Sequence, residues 1–257
     1  NGVQSVTLFY RNHTTTSPGP FASTNMFDDG AHDDGGPRDG LYAATLGPQA
    51  NRNVMEFYVE AMGPIGLIRT WPAATWETNN TSAQLANALY QVDDESSATT
   101  MPFLRLIMTG SERAVFPPAD SSSDAEMNAT FISIDGDGTQ VRYNAGVRIR
   151  GAGSRGGDPR NFRVNLPNDH LWNNRSRMNL NSRYAHAQLA GSVLAQRAGL
   201  PCADARVVQV RVNGQNLGSG ISFGCYVLVE PMNGDWAANH FPLDPACNPS
   251  VKHSIIR

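Results

Sequence analysis

Residues 129–151, ATFISIDGDGTQVRYNAGVRIRG, constrain the fold more tightly than any other stretch of the chain. Apolar residues alternate with polar ones on either side of Asp135–Thr139, the periodicity of a strand with one buried face. Between these flanks the Asp- and Gly-rich DGDGT, which begins like a calcium loop, reads as the turn of a hairpin. A long antiparallel hairpin turning at Asp135–Thr139 is therefore expected.

Residues 3–72 repeat the pattern in shorter runs: VQSVTLFYR, GLYAATL, NVMEFYVEAMG and GLIRTW, with alternation at Val6, Leu8 and Tyr10 and again at Val54, Glu56 and Tyr58. Short strands at this spacing suggest a β-sandwich of immunoglobulin or fibronectin type over residues 1–72, one that lacks its first strands. Residues 73–100 show no sustained periodicity beyond a short helix expected at Ser82–Tyr90, and they read as a linker. From Met101 to Arg257 a second domain is expected. Its strands are MPFLRLIMT, the long hairpin, FRVNLP and RMNLN. A short helix, GSERAVF, is entered through Ser111. A longer one, AHAQLAGSVLAQRAG, has Leu189, Val193, Leu194 and Arg197 at helical spacing and closes at Gly199 and Pro201. A further hairpin is expected about Asn213–Gly214.

Several function classes find no support. No run approaches eighteen apolar residues, so no membrane-spanning helix is expected. The six histidines form no HxxxH or HExxH pair, GxSxG is absent, and Cys202, Cys225 and Cys247 fit no zinc spacing. A Cys225–Cys247 disulfide is the one pairing raised, and spacing does not favour it. The tryptophans Trp71, Trp76, Trp172 and Trp236 would suit stacking on sugars, but scattered as they are they suit a core equally well.

Charge is distributed unevenly. Residues 1–140 carry 17 acids against 6 arginines, whereas residues 141–257 carry 14 bases against 6 acids. Two such halves attract each other within one chain or between copies, or they mark a cation-binding part beside an anion-binding one. In the acidic half, FDDGAHDDGGPRDG gathers Asp28, Asp29, Asp33, Asp34 and Asp39 among glycines. This is either a loop that wraps Ca²⁺ with oxygen ligands or a solvated loop whose Asp and Gly residues make turns. In the basic half, Val141–Leu200 holds ten arginines and two acids. Its GVRIRGAGSRGGDPRNFRV offers backbone N–H groups at a glycine-rich loop, with Arg155, Arg160 and Arg163 to add charge, which is adequate chemistry for holding phosphate. The only lysine is Lys252, so the cations available here are guanidinium groups.

The order GVRIRGAGSRGGDPRNFRVNLP, RMNLNSRYAHAQLAGSVLAQRAGLP, ARVVQVRVNGQNLGSGISFGCYVLVEPMNGDW, spanning Phe131–Trp236, resembles the CotH kinase family of spore-coat-type atypical protein kinases. The resemblance implies an α+β domain equivalent to the N-terminal part of an atypical kinase fold over 101–257, following an immunoglobulin-like β-sandwich. It implies ATP and Mg²⁺ as cofactors and phosphate transfer to Ser or Thr of secreted or coat proteins. By position, Ser154 and Arg155 match the family's SR element, Arg160 stands where a lysine is usual, Asn179 and Asn181 match LNLN, and Glu230 ends the Y.L.E strand. With Arg163 as a neighbouring cation, Ser154, Arg155, Arg160 and Glu230 are the expected nucleotide-binding residues.

Departures from that pattern point toward a second expectation. Gly191–Ser192 replaces the family's Arg–Glu pair, and the chain reaches Arg257 before the segment that carries the family's metal-binding and catalytic acids, so no catalytic residue is assigned. The alternative is an inactive pseudokinase serving as a subunit of a surface layer, filament or adhesive assembly. Both readings place the protein outside the cell or on a bacterial cell surface, with copies of itself or other envelope and coat proteins as partners and no nucleic acid.

Overall fold

The computed structural model describes residues 2–76, 81–94, 101–116, 123–151, 153–156, 159–218 and 224–244. In chain order its strands begin with β1 (Ser5–Asn12), β2 (Ala22–Met26), β3 (Val54–Met62), β4 (Ile68–Trp71), β5 (Thr75–Trp76), β6 (Ser82–Ala83) and β7 (Ala88–Gln91). There follow β8 (Phe103–Ile107), α1 (Gly110–Val115), β9 (Met127–Asp135), β10 (Gly138–Ile149), β11 (Phe162–Asn165) and β12 (Arg177–Asn181). The last elements are α2 (Ala185–Arg197), β13 (Ala205–Val212), β14 (Cys225–Val229) and α3 (Gly234–His240).

The first strands form one antiparallel sheet, ordered β2-β1-β3-β4, with β7 also paired to β3. β3 is long enough to hold two partners end to end: Val54–Phe57 pair with β7, and Val59–Met62 pair with β4. A two-sheet sandwich over residues 1–72 is therefore not what forms. The expected linker supplies a strand of the sheet, and two short strands, β6 and β7, stand where a helix was expected at Ser82–Tyr90. The reason is burial. Ala88 and Leu89 are both fully enclosed, and Leu89 joins Val54, Ile107 and Ile132 in a cluster that sits between sheet and second domain. Val54 and Leu89 thus bury one face of the β3–β7 end of the sheet against the barrel wall.

The second domain corrects the expectation more sharply. Its strands close into a barrel, ordered β10-β11-β12-β14-β13-β8-β9, in which only β13 and β8 run parallel. An α+β kinase-like domain would need helices to cover an open sheet, and α2 cannot do so, because none of its residues is buried and Leu194 is 67% exposed. The strands instead turn one face inward around the barrel: Val147 and Ile149 of β10, Phe162 and Val164 of β11, Met178 and Leu180 of β12 all lie in the core. Closure removes the exposed edges that a helix layer would otherwise have had to protect. Trp172 is fully buried in this core and donates its indole N–H to Ser133 Oγ at 2.9 Å.

The strand expected at GLYAATL forms no more than a single bridge, Ala43 to Phe27, whereas other local expectations hold. The long hairpin is β9–β10, with Asp135 opposite Gly138. Helix α1 forms, although its cap is Thr109 rather than Ser111, with Glu112 completing a capping box. Helix α2 forms and ends near Gly199, whose φ of +73° suits glycine. Asn213 and Gly214, both at positive φ, turn the chain tightly enough for Val212 and Gln215 to exchange backbone hydrogen bonds of 3.0 and 2.9 Å.

Candidate functional site

Period-two alternation sends every second residue of β10, β11 and β12 to the barrel's outer face. Arg148 lies opposite Arg163, and Arg163 lies opposite Asn179. One residue beyond the end of β10, the Arg150 N–H bonds the Asn161 carbonyl at 2.9 Å, so Arg150, Asn161 and Asn181 meet at one end of the three strands. Here a cleft of about 390 Å³ opens, lined by Arg150, Ser154, Asn161, Asn181, Arg183, Tyr184 and, from α2, Gln188. Tyr184 precedes that helix in the left-handed region, and no side chain caps the helix's first N–H groups. Exposed N–H groups at a helix start favour negative charge.

Arg150 is the central cation of the cleft. It is half-buried, donates to Asn181 Oδ1 at 2.6 Å, and pairs with no carboxylate among the described residues. Burial, and then repulsion from Arg163 and Arg148, holds its pKa below the ordinary guanidinium value. Arg163 is held down in the same way, by burial first and then by Arg148 and Arg177. Guanidinium groups stay charged in proteins, so such crowding leaves positive potential in the cleft instead of neutral arginines.

The residues singled out from the sequence divide between several tasks. Ser154 lines the cleft and accepts from Asn161 Nδ2 at 3.3 Å. Arg155 and Arg160 shape the loop. Arg155 donates to the carbonyls of Gly151 (2.6 Å) and Ser123 (3.0 Å) and pairs with Asp124, while Arg160 donates to the Arg155 carbonyl at 2.7 Å. Arg163 lies on the adjacent barrel wall, 3.4 Å from Asn179 Oδ1. Arg150, Asn161 and Arg183 were not singled out. Arg150 had one readable signal, since it closes the outward-facing alternation of GVRIR just before Gly151, whereas Arg183 had none.

Glu230 lies apart from these residues. It follows Val229, which pairs with Asn179, and so stands about three residues, roughly 10 Å, along β12 from Asn181. Its carboxylate accepts from Arg175 Nε at 3.0 Å and meets His240 Nε2 at 2.9 Å. Arg175 also reaches Asp204 Oδ2 at 2.8 Å, and Gln196 donates to Asp204 Oδ1 at 2.9 Å. Burial pushes the Glu230 carboxyl up, but His240 and Arg175 outweigh it and hold it below the usual carboxylate range.

In the acidic loop, carboxylates turn toward the loop's own backbone. Asp34 is buried and accepts from the N–H groups of Asp29, Gly30 and His32. Asp28 accepts from Asp39 and Gly40, and Asp39 accepts from Gly36 and Leu41. Asp29 meets His32, and Asp33 adopts a positive φ. Among the described residues the one group of three or more side chains spaced to hold a metal ion is Asp204, Glu230 and His240, and none of the five loop aspartates belongs to it. Cys202 and Cys225 carry free thiols, and Cys247 lies outside the described residues. No described helix is long and apolar enough to cross a membrane. No protein-family model matches the chain, and no curated protein matches it.

Proposed function

We propose that the barrel is a binding module for phosphate-bearing ligands, with the Arg150 cleft as the phosphate grip. The observation that carries this reading is the half-buried Arg150, which faces a neutral amide and like-charged neighbours and no carboxylate among the described residues. A guanidinium so placed gains a charge-assisted partner when an anion enters. Ser154, Asn161 and Arg183 add further donors, and the start of α2 adds backbone N–H groups.

Nucleotides are the favoured ligands, in keeping with the resemblance to CotH kinases, and the envelope or cell surface remains the proposed setting. Phosphoryl transfer asks for more than a grip: acids to hold Mg²⁺ and a base to take the hydroxyl proton. The described residues lining the cleft include no carboxylate for either task, which supports binding without transfer by these residues alone. A structural role in an assembly finds separate support in the uneven charge of the two halves.

Calorimetry with ATP and with pyrophosphate tests the proposal. Saturable binding that weakens with salt is expected, and Arg150→Gln should weaken it about tenfold or more, the worth of one charge-assisted hydrogen bond. Heat absent at millimolar ligand, or affinity unchanged in Arg150→Gln, would sink the reading.

A further inference from the structure

The geometry points to a divalent transition-metal site, separate from the cleft, formed by Asp204, Glu230 and His240 where β14 leaves the barrel. One ligand atom from each lies within 4.8 Å of the others, and they combine one imidazole with two carboxylates. That donor set suits zinc or cobalt, with a further coordination position left for water. Asp204 and Glu230 sit side by side at paired strand ends, joined by the Glu230 N–H to the Asp204 carbonyl at 2.9 Å, and His240 comes from a separate helix. Asp204 immediately precedes β13, Glu230 immediately follows β14, and His240 ends α3. The imidazole stacks on Trp236 with ring centroids 5.0 Å apart, which fixes its plane while Nε2 faces Glu230.

Charge supplies an independent argument. With a neutral imidazole, two carboxylates share one cation, Arg175, and the Glu230 side chain is only 1% exposed. Glu230 is the buried member and Asp204 is 48% exposed, so a metal ion entering from the Asp204 side would add a second positive charge to the pair. Arg175 contacts one oxygen of each carboxylate, Glu230 Oε1 and Asp204 Oδ2, and so orients both as a positioning residue while Glu230 Oε2 remains toward His240. Two of the three residues reach solvent, Asp204 and His240. A cavity of about 270 Å³ is lined by Asp204, Arg175 and Arg206, and a separate depression is lined by His240 and Gln196.

The test uses untagged, metal-stripped protein titrated with Co²⁺, followed by visible absorption and by tryptophan quenching. One Co²⁺ per chain is expected, with the absorption of a low-coordinate imidazole–carboxylate site, displaced by Zn²⁺. His240→Gln and Asp204→Asn should each weaken binding at least tenfold, while His32→Gln should bind as the wild type does. Mapping diethyl pyrocarbonate modification on the wild type gives a readout that needs no variant to fold: Zn²⁺ should protect His240 and leave His32 reactive. The proposal is overturned if no saturable Co²⁺ spectrum develops, if His240→Gln binds as well as wild type, or if Zn²⁺ does not protect His240. The cluster would then be an ion-pair network balanced by a proton alone.

Discussion

Glu56 and Glu230 occupy different domains yet are built almost alike. Each is buried, at 3% and 2% exposure, and each meets an arginine Nε, a histidine and an asparagine amide. For Glu56 these are Arg11 at 2.7 Å, His13 at 2.7 Å and Asn87 at 2.6 Å; for Glu230 they are Arg175 at 3.0 Å, His240 at 2.9 Å and Asn239 at 3.5 Å. The surroundings differ. His13 is buried, and its other nitrogen meets Ser111 Oγ of α1 at 3.1 Å, so the Glu56 cluster ties the sheet to the barrel domain. Glu230 has a second carboxylate beside it, and its neighbours Asp204 and Arg175 border a cavity. One trio of residue types thus serves as a filled joint in one place and as an open cluster in another, and packing decides which.

The largest test of that contrast is Glu56→Gln against Glu230→Gln in urea unfolding. Glu56→Gln should cost about 3–5 kcal/mol, because it removes the carboxylate that the buried His13 and Asn87 and the partly buried Arg11 all meet, in a joint with no cavity beside it among the described residues for water to enter. Glu230→Gln should cost about 1–3 kcal/mol, because water can enter beside Arg175 and Asp204. Equal losses would break the comparison. Next, Zn²⁺ at a hundredfold excess over its dissociation constant should stabilise wild type and Glu56→Gln alike by about 2.7 kcal/mol, and should leave Glu230→Gln nearly unmoved. A smaller separation is expected between the histidines without metal: about 1–3 kcal/mol lost for His13→Gln, and under about 1 kcal/mol for the partly exposed His240→Gln.

The smallest effect is on pH dependence. The Arg11, Asn87 and His13 contacts overcome burial and hold the Glu56 carboxyl below its usual value, as His240 and Arg175 do for Glu230. A lowered carboxyl stabilises the native state above the ordinary glutamate value of 4.5, and that contribution is lost as pH falls through the lower native value. Glu112, which burial raises, acts in the opposite sense: its contribution is present below 4.5 and is lost as pH rises through its native value. Wild type should therefore lose stability below about pH 4.5 more steeply than Glu56→Gln does. Parallel urea midpoints for the two proteins across that range would remove Glu56 from the account.

Much of the strand layout was readable in advance, and the exceptions share a cause. β1, β3, β9 and β10 follow visible alternation, whereas β8, which buries Phe103, Leu104, Leu106 and Ile107, was readable from its apolar run. β2 is the polar ASTNM with no buried residue, and β7 buries Ala88 and Leu89 consecutively between two domains, so neither carries a period-two signal. The site was readable only in part. Composition marked the arginine-rich loop, but Arg155 and Arg160 are committed to carbonyls and Asp124 while Arg150 faces the cleft. Which arginine does which depends on the path of the loop, and residue type does not encode that path.

The sequence by itself determined that this chain is rich in strands, where its long hairpin turns, that α2 ends by Gly199, and that positive charge concentrates after residue 141. These are local matters of periodicity, turn chemistry and charge. Only the tertiary structure decided that the second sheet closes on itself, that residues 88–91 join the first sheet, and that Asp204, Glu230 and His240 meet. Alternation states that one face of a strand is buried but not what buries it. Residues 26 and 36 positions apart in the chain come together only once two strand ends and a helix have packed around one core.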